Sequence, residues 1–129
     1  MDSGTHQQAP CPLLYRNRWA LVYTTVMIAI ADVCVVPIGV GVSLSEYVAA
    51  CERVLASSGL RTQLHANGTN VEGDWDTVMA VVRKCHDVVM KKSVRAMTTI
   101  SIDDRKGKEE RIEKKLESVE QKMRMKLKK

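Results

Sequence analysis

The stretch MIAIADVCVVP, residues 27–37, decides the fold. It is rich in β-branched residues, too short to span a membrane by itself and closed by Pro37, which predicts a central strand. Because side chains alternate along a strand, Asp32 shares one face with four apolar neighbours: Ile28, Ile30, Cys34 and Val36. A buried carboxylate without a partner would cost several kcal/mol. Asp32 is therefore expected to meet a partner, a ligand or water, and is the first candidate functional residue.

The segments after this strand predict an alternating order of elements. Ser43 followed by Glu46 forms a capping box, which predicts a helix start. Asn67-Gly68 predicts a tight hairpin between two short strands, and Asp74 predicts the cap of a second helix. A fourth strand over 94–103 and a last amphipathic helix complete the order. The sequence thus predicts an α+β fold, a ferredoxin-like βαββαβ sandwich with an additional C-terminal helix and the first strand central.

This topology places both crossover helices on one face of the sheet and leaves the other face open. The open face is the one that carries Asp32 among apolar side chains, and it is too apolar to be left in water. A second subunit is expected to cover it, giving a homodimer or homotetramer through the open sheet faces.

The net charge of +5 is unevenly distributed, which divides the chain into three parts. Residues 105–129 contain eleven Lys/Arg against five Asp/Glu, whereas residues 1–104 contain nine against ten. We expect a ferredoxin-like domain over 27–107 and an amphipathic basic helix over 108–129. The spacing of its apolar residues favours docking of this helix on its own sheet or on a partner subunit; binding to nucleic acid or acidic lipid is the alternative.

Residues 1–26 are interpreted as a poorly structured extension. Arg16 and Arg18 precede an apolar run, so a targeting signal is an alternative. A membrane helix needs about 20 apolar residues, and an extension of this run would take in Asp32, so no membrane span is predicted.

The side chains that could support catalysis do not form a recognisable set. The four cysteines are widely spaced, which favours reduced thiols and a cytoplasmic location. The histidines lack a second ligand at metal-binding spacing, and Gly39-x-Gly41 is an incomplete phosphate-binding loop. We therefore predict no catalytic residue, no metal site and no enzyme activity.

The polar residues of the open face form the better candidate site. Thr99, Ser101 and Asp103 alternate with the inward-facing residues of the fourth strand, which this topology places beside the first strand and Asp32. Acceptors in an apolar setting suit a small cationic or amine-bearing ligand. Hydrogen bonding between subunits is the alternative role.

Several segments resemble the small thiamine-binding family, the YkoF-like proteins and their single-domain relatives. They are ADVCVVPIG at 31–39, SLSEYV at 43–48, NGTNVEG at 67–73 and ISIDDR at 100–105. The resemblance implies a homo-oligomeric subunit that binds thiamine or its pyrimidine moiety and needs no other cofactor. Asp32 would then accept from the ligand's amine, Thr69 and Glu72 would shape one rim of the site, and Ser101 and Asp103 the other.

Overall fold

The computed structural model describes residues 27–107 and 111–128. The predictions for residues 1–26 lie outside this range. The elements follow in the order β1 (Met27–Pro37), α1 (Ser45–Ala56), β2 (Arg61–His65), β3 (Gly68–Gly73), α2 (Trp75–Met90), β4 (Ala96–Lys106) and α3 (Arg111–Met123). This is the predicted βαββαβ order followed by a helix.

The four strands form one antiparallel sheet with the order β2-β3-β1-β4. β1 is central, as predicted: Ala31 lies opposite Val71 of β3 and Ile102 of β4. The α+β, ferredoxin-like fold class is confirmed.

The core lies between the sheet and the helix pair α1 and α2. Ala29, Ala31 and Val33 of β1 are buried on this side. Ala31 and Val33 belong to a layer with apolar residues from β3 and both helices: Leu55, Val71, Val78, Val81, Val82 and Cys85. Burial of each such valine or leucine stabilises the fold by about 1.5–3 kcal/mol. The alternate β1 residues define the open face, which neither α1 nor α2 covers.

The two helix starts differ from one another. Asp74 caps α2 as predicted, because its carboxylate accepts from the Thr77 backbone N–H at 3.1 Å and from the Thr77 hydroxyl at 2.6 Å. The capping box at α1 is wrong: Leu44 is the cap position and makes no side-chain cap bond. With α1 beginning at Ser45, Ser43 lies one residue too early to cap it.

The predicted hairpin is present, but its turn is shifted by one residue. Ala66 and Asn67 form the loop, and Gly68 is the first residue of β3, paired with His65. Gly68 is needed for close packing, because a Cβ there would lie 2.8 Å from the Val33 carbonyl oxygen and 3.0 Å from Asp32 Oδ1. The glycine therefore allows β3 to approach β1 next to the candidate site.

Helix α3 docks on its own sheet through its first turn. Arg111 and Ile112 are buried, whereas Val119 and Met123 further along the helix are about half exposed. The carboxylate of Glu72 on β3 accepts from the backbone N–H groups of both Arg111 and Ile112, the latter at 3.3 Å. A carboxylate at a helix N-terminus satisfies free donors and complements the helix dipole.

The Arg111 guanidinium ties this first turn to the first and fourth strands. Nη2 donates to Asp103 Oδ2 at 2.7 Å, and Nη1 donates to the carbonyls of Asp103 at 2.7 Å and Ile28 at 3.4 Å. Lys115 Nζ, one turn later, is 2.5 Å from Asp103 Oδ2. The hydrogen bonds from Lys115 and Arg111 hold the pKa of Asp103 below its usual range. We call this set the α3 anchor: Glu72, Asp103, Arg111 and Lys115.

Replacing Arg111 with glutamine is expected to loosen α3 while the sheet stays folded. Hydrogen bonds to charged groups each contribute about 1.5–3 kcal/mol. Amide hydrogen exchange within α3 should accelerate roughly tenfold to a hundredfold in the Arg111→Gln variant. Lys122→Gln removes the same charge from an exposed position of α3 and serves as the control. Equal exchange rates in the two variants would contradict the anchor.

The α3 anchor should weaken in acid. The folded-state pKa of Asp103 is lowered, so its contribution to stability is complete above the unfolded-state pKa of about 3.9 and is lost as pH falls through the folded pKa. The wild type should have a higher Tm than Asp103→Asn at neutral pH, and the two values should converge below about pH 4. A Tm difference that is constant between pH 7 and pH 3 would exclude this contribution.

Candidate functional site

The strand register places four polar side chains in one row across the open face. Asp32 of β1 lies opposite Asn70 of β3 and Ser101 of β4, and Asn70 lies opposite Gln63 of β2. Residues paired in this way project from the same side of a sheet. We call Gln63, Asn70, Asp32 and Ser101 the polar row. It presents a carboxylate flanked by amide and hydroxyl groups.

Asp32 has a specific partner in the structure. His65 Nε2 lies 2.7 Å from Asp32 Oδ1, and the two side chains are 37% and 52% exposed, respectively. The Asn67 backbone N–H donates to His65 Nδ1 at 3.3 Å. With Nδ1 as acceptor, the neutral ring carries its proton on Nε2, which donates to Asp32. The hairpin thus orients the histidine, and the histidine orients the carboxylate while leaving it half exposed.

Thr69 and Glu72 were expected to form one rim of the ligand site together, but Thr69 does not lie on the open face with Glu72. The two residues are three positions apart on a strand, so their side chains point to opposite faces. Thr69 is buried on the helix side, where its hydroxyl donates to Glu52 Oε1 of α1 at 2.5 Å. It connects β3 to α1 and does not line the polar row.

Glu72 and Asp103 lie on the open face, as predicted, but the α3 anchor engages both. Both residues lie opposite Ile30, so they occupy the row next to the polar row. Arg111 and Lys115 bind the Asp103 carboxylate, while Glu72 receives the first N–H groups of α3. The predicted acidic set is therefore divided between Asp32 with Ser101 in the polar row and Glu72 with Asp103 under α3.

The sequence interpretation did not include His65, Asn70 or Gln63 among the site residues. The alternation along β2 places Gln63 and His65 on the open face, and Asn70 follows from the hairpin register. The His65–Asp32 contact joins residues that are far apart in sequence and depends on how β3 is inserted between β2 and β1. The hairpin register, which differs from the predicted turn by one residue, was the missing signal.

Other chemistry-bearing groups of the described residues have structural partners. Cys51 and Cys85 face each other between α1 and α2, each sulfur 3.7–3.8 Å from the other residue's carbonyl oxygen. A hydrogen bond with Cys51, together with burial, raises the pKa of the Cys85 thiol, which makes it a poor nucleophile. Over 27–107 and 111–128, no group of three or more His, Cys, Asp or Glu residues could hold a metal ion.

Two further observations concern the predicted partners. Part of the basic charge of the C-terminal segment is neutralised within the chain, because Lys115 pairs with Asp103 and Lys126 pairs with Glu120. None of the helices in the described ranges is long and apolar enough to cross a bilayer.

Residues 31–120 match the family model described as thiamine-binding protein. A UPF0045 protein of Synechocystis sp. is 46% identical over 95 residues, which cover 73% of this chain and 78% of the relative. The UPF0045 protein of Methanocaldococcus jannaschii is 34% identical over 90 residues, which cover 70% of this chain and 90% of the relative.

The fold has matches among solved structures. The crystal structure of the M. jannaschii protein aligns with a TM-score of 0.68 at 34% identity and covers 71% of this chain and 95% of that one. A Thermotoga maritima protein, described as a candidate thiamine biosynthesis/salvage protein, aligns with a TM-score of 0.62 at 22% identity, covering 71% and 98%. The match over 31–120 includes the whole polar row and the α3 anchor, and the family description names binding and no reaction. The chain belongs to the thiamine-binding protein family.

Proposed function

We propose that this chain is a non-enzymatic, cytoplasmic binding protein for thiamine or its pyrimidine moiety and that it acts as a homo-oligomer. The family description and the description of the T. maritima protein support the ligand class. The observation that carries the proposal is the His65–Asp32 pair at 2.7 Å in the centre of the polar row. It holds a half-exposed carboxylate ready between the apolar side chains of Ile30 and Cys34 on the same strand.

The polar row matches the chemistry of this ligand class. Thiamine combines a cationic ring with an aminopyrimidine, which presents an amine donor and ring-nitrogen acceptors. Asp32 would accept from the amine and balance the positive charge, since charge-assisted hydrogen bonds are the stronger ones. Ser101 and the amides of Asn70 and Gln63 can donate to ring nitrogens. Because neighbouring strands lie about 4.8 Å apart, an aminopyrimidine ring over Asp32 would contact its nearest neighbours in the row, Asn70 and Ser101.

The remaining predicted residues have supporting roles in this proposal. Glu72 and Asp103 hold the first turn of α3 over the neighbouring row, so that α3 forms one rim of the site. Thr69 fixes β3 to α1 from the opposite face. Ile30 and Cys34 flank Asp32 on β1 and are only half-buried, and a second copy packed on the open face would exclude water from them.

The alternative function is a structural or regulatory oligomer in which the polar row only joins subunits. Both functions predict self-association, so ligand binding is the property that separates them. Calorimetric titration with thiamine, combined with thermal shift, is the direct test. If millimolar thiamine gives no heat of binding and no change in Tm, the ligand proposal is contradicted.

Asp32→Asn is expected to weaken thiamine binding roughly tenfold to a hundredfold, because it removes the charge from a hydrogen bond of about 1.5–3 kcal/mol. The fold should be retained, since Asp32 is half exposed and asparagine still accepts from His65. The dissociation constant is measured by calorimetry and the Tm by differential scanning.

Thr69→Val is the matched control on the opposite face of the sheet. It leaves the half-buried Glu52 without its donor and should lower the free energy of unfolding by about 1–3 kcal/mol. The dissociation constant for thiamine should stay within about twofold of the wild type, because Thr69 does not face the polar row. An affinity loss as large as that of Asp32→Asn would place the ligand elsewhere.

A further inference from the structure

Two cysteines face each other in the helix layer, on the side of the sheet opposite the polar row. Cys51 lies on α1 and Cys85 on α2, 34 positions apart in sequence. Cys51 Sγ lies 3.7 Å from the Cys85 carbonyl oxygen, and Cys85 Sγ lies 3.8 Å from the Cys51 carbonyl oxygen. Because each sulfur reaches the backbone of the other residue, both thiols occupy the space between the two helices.

The two thiols differ in their access to solvent. Cys85 is 1% exposed and belongs to the core cluster, whereas Cys51 is half-buried and packs against the outside of that cluster. An oxidant in solvent therefore meets Cys51 first, and Cys85 lies behind it.

The hydrogen bond between the thiols also gives them different reactivity. Cys85 donates to the Cys51 sulfur, which lowers the pKa of Cys51 against the opposing effects of burial and the neighbouring Glu52 carboxylate. The same hydrogen bond, together with burial, raises the pKa of Cys85, so Cys85 keeps its proton. Oxidation of a cysteine requires thiolate character and exposure. Cys51 has more of both than Cys85.

We propose that Cys51 is a site of oxidation by peroxide and that Cys85 resolves the oxidised thiol, which forms a reversible disulfide between α1 and α2. In the first step the Cys51 thiolate attacks one oxygen of hydrogen peroxide. An S–O bond forms, the O–O bond breaks, and the released hydroxide takes up a proton to become water. Cys51 is then a sulfenic acid.

In the second step the Cys85 sulfur attacks the Cys51 sulfur. The S–S bond forms, the S–O bond breaks, and the hydroxyl group leaves as water with the proton of Cys85. The two sulfurs together lose two electrons, which reduce the peroxide to water. Cys85 is a weak nucleophile, but its contact with Cys51 offsets this weakness because the reacting atoms are already held together.

The geometry favours this bond over any other pairing of the described cysteines. A disulfide has an S–S distance of about 2.05 Å, and its Cα atoms are usually about 4.4–6.8 Å apart. Thiols on facing helices that already share a hydrogen bond need only a small movement to reach this geometry. Cys34 lies on the open face with Asp32, so the sheet separates it from both thiols of the helix layer.

The disulfide would fasten the two helices that cover the core. It closes a segment that contains β2 and β3, and a cross-link of this kind stabilises a fold by restricting the unfolded chain. The polar row lies on the other face of the sheet. The modification therefore does not depend on thiamine binding, and its test needs no ligand.

Thiol counting after oxidation tests the proposal on the full chain. Cys11→Ser and Cys34→Ser are introduced together, so that only Cys51 and Cys85 remain. Stoichiometric hydrogen peroxide should remove both free thiols and link the two peptides that contain them within one chain, and dithiothreitol should restore both thiols. The Tm of the oxidised protein should exceed that of the reduced protein by at least about 5 °C.

Two further substitutions in the same background test the assigned roles. In Cys51→Ser, the Cys85 thiol should stay free after the same treatment and the Tm should not rise, which also controls for methionine oxidation. In Cys85→Ala, the Cys51 sulfenic acid should persist and be trapped by dimedone. The thiol count of the parent protein tests the linkage even if the core substitution at Cys85 prevents folding.

Four results would overturn the proposal. They are two thiols that stay free in the parent protein, a disulfide that forms only between chains, a linked protein whose Tm is unchanged or lower, and equally rapid oxidation of Cys85 when Cys51 is replaced by serine.

Discussion

The structure depends on the pairing of β1 with a different strand along each of its sides. This double pairing gives β1 two faces with unlike environments. On one side the small residues Ala29 and Ala31 are buried beneath the helices α1 and α2. On the other side the same strand presents Asp32 on a face that neither of these helices reaches. Asp32 lies at the centre of that open face, and the proposed ligand site is built around it.

The three carboxylates of the open face, Asp32, Glu72 and Asp103, have different roles because their neighbours differ. Glu72 receives backbone N–H groups and begins a helix. Asp103 is held ionised by two cations and fixes the same helix laterally. Among the described residues, Asp32 hydrogen-bonds to the imidazole of His65, and it keeps half of its surface in solvent. The first two acids are therefore committed to the fold, while the third retains capacity for a ligand.

The sequence was sufficient for the topology, because that topology depends on local signals. The alternation in β1, the helix cap at Asp74 and the hairpin near Gly68 are each encoded within a few residues. The site required contacts between distant residues. Thr69 was assigned to the wrong face because its resemblance to a family motif was followed in preference to its parity with Val71 and Glu72. The His65–Asp32 pair depends on the exact hairpin register and the α3 anchor on the docking of a helix, neither of which periodicity encodes.

The Ser43–Glu46 box failed for a related reason. A capping pattern is only one of several ways in which a helix can begin. Here the loop that contains Gly39 and Gly41 leads into α1 so that the cap position is Leu44, one residue after Ser43. Likewise Gly68 was attributed to the turn, whereas its lack of a side chain is used for the approach of β3 to β1. Ser43 and Gly68 both lie close to the helix start and the turn that their local patterns predict. In both cases the tertiary structure, and not the local pattern, determines what the residue does.

The pairing of β1 and β4 also has a kinetic consequence. Each residue of β1 finds its β4 partner about sixty to eighty positions further along the chain. The chain loses much loop-closure entropy before contacts at such a separation form and stabilise it. Proteins dominated by such contacts fold slowly for their size. During synthesis β1 is made before both of its partners, and its β4 edge stays unpaired after β3 has become available on the other side. The strand that organises the finished molecule is thus among the last to have both of its edges paired.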